Sequence, residues 1–241
     1  MKRYFWIFIS VLIIAALVGG FFLWRYYKNR KTASSQTSSA TTSTAQSTPS
    51  TSSNPAPSST TSAPTLVYPI SSFATRATTN LFGTFYLAGG SANPDRLVCP
   101  NATYYSGYHT AVDLETTSAE ASQNMPVLAI AAGTVRQVSA VSGYGGLIVI
   151  QYNLGGSNYT AYYGHINLST AKVKAGQNVT VGETLANLGP SCSLTNGDVR
   201  KHLHFGLHKG TAIDVRGYAP DKTALASWVD PVQLLNSLGA V

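Results

Sequence analysis

Residues 126–166 read PVLAIAAGTVRQVSAVSGYGGLIVIQYNLGGSNYTAYYGHI, short β-branched and aromatic runs separated by Gly, Asn and Ser. Runs of that length and composition favour strands, and the separators favour turns. Strands are expected at about Val127–Ala131, Gly133–Val138, Leu147–Asn153 and Tyr159–Ile166, with turns at Ser142–Gly146 and Leu154–Asn158. Two further strands, Thr184–Leu188 and Leu203–His208, follow. Such spacing predicts a mainly β domain whose antiparallel sheet folds on itself as an open barrel or sandwich. Near the end, Asp230-Pro231 ahead of Val232, Leu234, Leu235 and Leu238 reads as a short C-terminal helix with Asp as N-cap and Pro in the first turn. Its apolar side is expected to pack on the sheet.

Upstream the composition changes twice, so three regions are expected: 1–31, 32–65 and a globular domain over 66–241 with its core at about 68–210. Tyr4–Trp24 (YFWIFISVLIIAALVGGFFLW) is uncharged and almost wholly apolar, long enough for a transmembrane helix, which needs about 20 residues. A cleaved signal peptide is disfavoured because the run is longer than the usual apolar region and no A-x-A-like site closely follows it. Residues 32–65 hold Ser, Thr, Ala and Pro with no charge and no aromatic residue, the composition of a disordered stalk. Such a tether has an r.m.s. span of roughly 30 Å. Six of the 16 Lys and Arg residues (Lys2, Arg3, Arg25, Lys28, Arg30 and Lys31) flank the apolar run, while all nine acidic residues lie beyond it. Six of the seven net positive charges therefore belong to the membrane region, and no nucleic-acid surface is expected.

All five histidines lie in the globular domain, four of them in three motifs: His109-Thr110-Ala111-Val112-Asp113, Tyr162-Tyr163-Gly164-His165 and His202-Leu203-His204-Phe205. On a strand, His202 and His204 share a face about 7 Å apart. His109 and Asp113 would be about 13 Å apart on a straight strand, so joint ligation requires a bend between them. If one histidine from each of two motifs joins Asp113, the donors are N, N and O, a set that suits Zn²⁺ and leaves a fourth position for water. The two remaining imidazoles are then suited to accept a proton from water and to stabilise charge at a scissile carbonyl. His208 lies too far along its strand to join them and is expected at the surface or in a groove. Tyr144, Tyr162 and Tyr163 are expected in the core.

HTAVD, YYGH and HLHF, in this order, resemble the three motifs of the lysostaphin-like (LytM-type) zinc peptidoglycan endopeptidases. Tyr68-Pro69, Leu81-Phe82-Gly83, Pro126–Val135 and Val173–Gln177 with Val181-Gly182-Glu183 resemble supporting segments of the same family. The resemblance implies a duplicated-hybrid-motif-like open β fold. His109, Asp113 and His204 are then the ligands of one Zn²⁺, and His165 and His202 the catalytic pair. It further implies a peptidoglycan peptide substrate. Two departures stand out: Ala111 replaces the usual Gly, and the long segment Pro190–Lys201 lacks the usual Pro before the first His of HLHF.

Cys99 and Cys192, the only cysteines, each precede a motif histidine by ten residues. If the motifs converge on a metal, their lead-in segments converge too, and an intramolecular disulfide is expected, implying an oxidising exterior. Lys and Arg counts beside the apolar run would by themselves leave the domain in the cytoplasm. The stalk, the cysteine pair and the substrate outweigh them. A single-pass cell-membrane protein with an extracytoplasmic peptidase domain is expected. The competing reading is a non-catalytic wall-binding scaffold or activator of another hydrolase with the same fold.

Overall fold

A computed structural model describes residues 65–87 and 93–241. The expected membrane anchor, and all of the expected stalk except Thr65, lie outside the described residues. No helix among those described is long and apolar enough to cross a membrane.

The quoted stretch forms two consecutive hairpins. Strands β5 (Gly133–Val141), β6 (Gly145–Leu154) and β7 (Ser157–Gly164) pair antiparallel in sequence. Between β6 and β7 lie only Gly155 and Gly156, both at positive φ (58° and 82°). That is the conformation a two-residue hairpin turn demands and glycine supplies without strain. The main sheet continues through β11 (His202–Lys209), which pairs with β7 on one edge. Along its other edge lie β3 (Ala111–Glu115) against its first half and β13 (Trp228–Val229) against its second. β9 (Asn178–Val179) closes the far side against β5. Two three-stranded sheets flank it. One is β1 (Phe85–Tyr86), β2 (Gly107–His109) and β12 (Tyr218–Ala219); the other is β4 (Pro126–Leu128), β10 (Thr184–Leu188) and β8 (Ile166–Asn167).

Among the described residues no sheet closes into a barrel. The architecture is the open, layered form of the expected antiparallel fold. Strand alternation assigns the two faces of the main sheet. Val112, Leu114, Ile148, Ile150, Tyr163 and Phe205 point to one core, which also takes Val127 and Leu185 from the β4–β10–β8 sheet. The opposite face carries Leu147, Val149, Tyr144, Tyr162 and Trp228, together with Asp113, His202 and His204. Both faces of β6 are thus covered, which is why Leu147–Ile150 is continuously apolar rather than alternating.

Helix α1 (Pro94–Val98) precedes β2, α2 (Lys222–Leu225) follows β12, and α3 (Pro231–Ser237) ends the fold. The last is the expected C-terminal helix. Asp230 caps it by accepting from the Val232 and Gln233 amides, and Leu235 is fully buried in the main core. Cys99 and Cys192 form a disulfide with Cα atoms 5.2 Å apart, tying the end of α1 to the segment that leads into β11.

Candidate metal centre

The bend required between His109 and Asp113 falls at Thr110, where the chain leaves one sheet for another. Thr110 donates its amide to the Gly217 carbonyl (3.1 Å) and its hydroxyl to the Arg216 carbonyl (2.9 Å). β2 therefore pairs with β12, while β3 pairs with β11. His109 Nε2 ends 3.3 Å from Asp113 Oδ1. Because β3 and β11 are antiparallel with Asp113 opposite His204, His204 Nδ1 also lies 3.3 Å from Asp113 Oδ1. The two ring nitrogens are 3.1 Å apart.

These three atoms converge without a proton to share. His109 Nδ1 faces the Leu81 carbonyl (3.3 Å), which fixes the hydrogen there and leaves Nε2 with its lone pair. His204 Nε2 faces the Tyr144 hydroxyl (3.3 Å), leaving Nδ1 free on the other side. Burial pushes the His204 imidazole down to about 4, so it is neutral near pH 7. Asp113 Oδ1 is buried and accepts no hydrogen bond. Three buried acceptors facing one another are costly unless a cation lies among them. The spacing fits one, since donors about 2.0 Å from a tetrahedral Zn²⁺ lie about 3.3 Å from each other. Burial acts to raise the Asp113 carboxyl, but the facing His202 ring holds it well below the usual carboxylate range.

His165 and His202 stand beside this trio, their ring centroids 4.5 Å apart. His165 follows the last residue of β7 at φ 64°, a left-handed conformation that turns its ring out of the sheet and into the pocket. Its Nδ1 donates to the Asn196 carbonyl at 2.7 Å. Burial, reinforced by His202 and His204, pushes its pKa well down. His202 Nδ1 donates to the Arg200 carbonyl at 2.8 Å, and its Nε2 lies 3.3 Å from Asp113 Oδ2. Burial and Arg200 oppose a charge on His202, yet Asp113 outweighs them and raises its pKa.

A cavity of about 180 Å³ opens over the trio, walled by Asp95, Tyr105, Tyr144, His165, Val215 and Tyr218. It shares Ser142 and Gly143 with an adjoining groove of about 810 Å³ between the β5–β6 turn and residues 190–198. Tyr162 and Tyr163 are core, as expected. Tyr144 is not only core: its ring edge meets His204 and its hydroxyl lies in the site. The Gly of YYGH makes room for it, because a Cβ on Gly164 would lie 2.5 Å from the Tyr144 ring and 3.2 Å from His204 Cβ. His208 departs from the expected position at the surface or in a groove. It is 9% exposed and meets Trp228 edge-on, ring centroids 5.0 Å apart.

Other site residues carried no signal in sequence. Asn80 donates to Asp113 Oδ2 (2.9 Å), and so does Arg200 (2.9 Å). Asn80 comes from a turn far upstream in a short polar run. Arg200 sits in the segment that departs from the family pattern, and that departure was the only available pointer to it.

The family profile for peptidase family M23 matches residues 107–215. No curated protein is similar enough to count as a relative. Among solved structures the chain is similar to LytU (20% identity, 68% of this chain and 87% of that one, TM-score 0.44). It is similar also to the catalytic domain of the antimicrobial peptidase lysostaphin from Staphylococcus simulans (22%, 65% and 89%, 0.42). A zinc-containing peptidase from Vibrio cholerae is a third (25%, 60% and 36%, 0.42). The profile match spans all three histidine motifs, and residues 107–215 of this chain form a peptidase family M23 domain.

Proposed function

We propose that this protein is a membrane-anchored zinc endopeptidase that hydrolyses peptide bonds in peptidoglycan cross-links or bridges. The observation that carries the proposal is the convergence of His109 Nε2, Asp113 Oδ1 and His204 Nδ1 at 3.1–3.3 Å with Asp113 Oδ1 otherwise unpartnered. The chemistry a bound Zn²⁺ supplies there is Lewis acidity, which polarises a scissile carbonyl and lowers the pKa of water toward about 7.

The protein's own groups do the rest. His165, neutral through burial and fixed by Asn196, presents Nε2 as a proton acceptor for the attacking water and returns the proton to the leaving amine. His202, whose protonated form Asp113 favours, places positive charge beside the carbonyl oxygen as that oxygen becomes anionic. The groove of about 810 Å³ that adjoins the cavity at Ser142 and Gly143 is the place for the rest of the substrate.

An extracytoplasmic position with residues 4–24 as the anchor is supported by the disulfide, which persists only in an oxidising compartment. External protease added to intact cells should release the domain. Retention of the domain behind the membrane would reverse the orientation.

For the activity, the full-length chain in mild detergent is incubated with peptidoglycans of several bridge chemistries, and new amine termini are identified by mass spectrometry. Metal-dependent termini that vanish on chelation are expected. Stoichiometric metal binding with no cleavage of any wall would favour the scaffold or activator reading.

A further inference from the structure

We infer that Arg200 is a positioning residue that aims both the Asp113 carboxylate and the His202 imidazole at the metal centre. The inference rests on reading His109, Asp113 and His204 as metal ligands. Arg200 is 7% exposed, and its guanidinium meets three carboxylates. Nη2 donates to Asp113 Oδ2 at 2.9 Å and to Glu115 Oε1 at 2.6 Å, Nε donates to Glu115 Oε2 at 3.0 Å, and Nη1 donates to Asp95 Oδ1 at 2.5 Å. With Asn80, the guanidinium occupies Asp113 Oδ2 and leaves Oδ1 for the metal. The Arg200 carbonyl meanwhile accepts from His202 Nδ1 at 2.8 Å, so side chain and backbone of one residue orient two members of the site.

Arg200 is itself held in place. Asp95 Oδ1 also accepts its backbone amide at 3.1 Å, and the other Asp95 oxygen takes the Tyr105 hydroxyl. The Asp95 segment is tied back to the same lead-in by the Cys99–Cys192 disulfide. Lysine could match the charge of Arg200 but not its planar fork across three acids.

Two effects of Arg200 on the metal oppose each other. As a nearby cation it repels the ion, so its removal would tighten binding; as an orienting donor it preorganises Asp113, so its removal would loosen binding. Outer-shell hydrogen bonds to ligands are typically worth about 10- to 100-fold in affinity, and at this burial and geometry orientation should dominate.

The test is Zn²⁺ affinity by chelator competition on the full-length protein in detergent, for wild type, Arg200→Met, Arg200→Lys and Asp95→Asn. Circular dichroism reports folding. Arg200→Met should weaken binding by about 10- to 100-fold, Arg200→Lys should recover only part, and Asp95→Asn should weaken binding less, in the same direction. Equal or tighter binding by a folded Arg200→Met would overturn the inference. Should that variant fail to fold, unchanged affinity in both Arg200→Lys and Asp95→Asn would do so. A wild type that binds no Zn²⁺ would instead overturn the metal-centre reading and remove the inference with it.

Discussion

β11 carries three histidines, His202, His204 and His208, on one face, and its two halves use them differently. His204 lies opposite Asp113 of β3, whereas His208 lies opposite Trp228 of β13. Strand, face and residue type are the same; only the cross-strand neighbour changes. Beside Asp113 an imidazole finds a buried carboxylate oxygen that accepts no hydrogen bond, and with His109 the pair makes up the proposed metal-binding group. Beside Trp228 it finds an aromatic edge and packs as a core side chain. Neighbouring strands, rather than the histidine pattern, decide which half of β11 does chemistry.

The strongest way to break that comparison is to remove the two rings separately. His204→Ala should abolish metal binding and reduce cleavage to background. His208→Ala should cost about 0.5–3 kcal/mol of stability and leave cleavage per folded molecule unchanged. Calorimetry and a peptidoglycan digestion assay separate the two. Equal loss of activity in both variants would mean that the Trp228 half belongs to the site.

Within the active half, ligands and proton carriers should part company. His165→Ala is expected to lower kcat by about 10²- to 10⁴-fold, the usual worth of a general base, while Zn²⁺ affinity measured by chelator competition is kept. Loss of metal along with activity would place His165 in the ligand set instead.

The disulfide braces the same half. Cys99→Ser with Cys192→Ser frees a loop of sequence separation 93 and should lower unfolding free energy by about 4 kcal/mol in the chain-entropy model. A smaller effect is expected from Gly164→Ala, whose Cβ collides with the Tyr144 ring. Overpacking of this kind costs about 1–3 kcal/mol, and activity should fall as His204 is displaced. Adding Tyr144→Ala should restore stability relative to the single variant, since it vacates the contested space.

Much of this was legible in sequence because it depends on local chemistry. Thr184–Leu188 is a strand with those bounds, and the β6–β7 turn is where Gly155-Gly156 placed it. His202 and His204 share a face because strand alternation requires it. What stayed hidden depends on long-range placement. Nothing in HTAVD shows that the chain changes sheets at Thr110, since the stabilising carbonyls come from Arg216 and Gly217. Arg200 carried no signal, because its three acids are dispersed over residues 95, 113 and 115. Tyr144 read as core from composition, and it is buried, yet its hydroxyl reaches His204. His208 was misplaced because its cover, Trp228, arrives from a strand too short to be read from pattern.

The lead-in to β11 offers the mildest probe of the comparison. Lys201, next to Arg200, turns to the other side and donates to the carbonyls of Glu120 (3.0 Å) and Ala121 (3.2 Å). Arg76 grips the Glu120 carboxylate through two 2.8 Å bonds and also donates to the Glu115 carbonyl on β3. The Arg76 bonds, with the Thr117 amide, hold the Glu120 carboxyl down from 4.5 to about 2. A depressed carboxyl stabilises the fold fully above its unfolded value and loses that contribution as pH falls through the folded one. Glu120→Gln should therefore be less stable than wild type at neutral pH, with the gap narrowing below pH 4.5 and closing near pH 2. If the brace serves the active half, hydrogen exchange in that variant should quicken in β3 and the first half of β11 before it does beside Trp228. Uniform quickening along β11 would show that the strand opens as one unit and that its halves differ in chemistry alone.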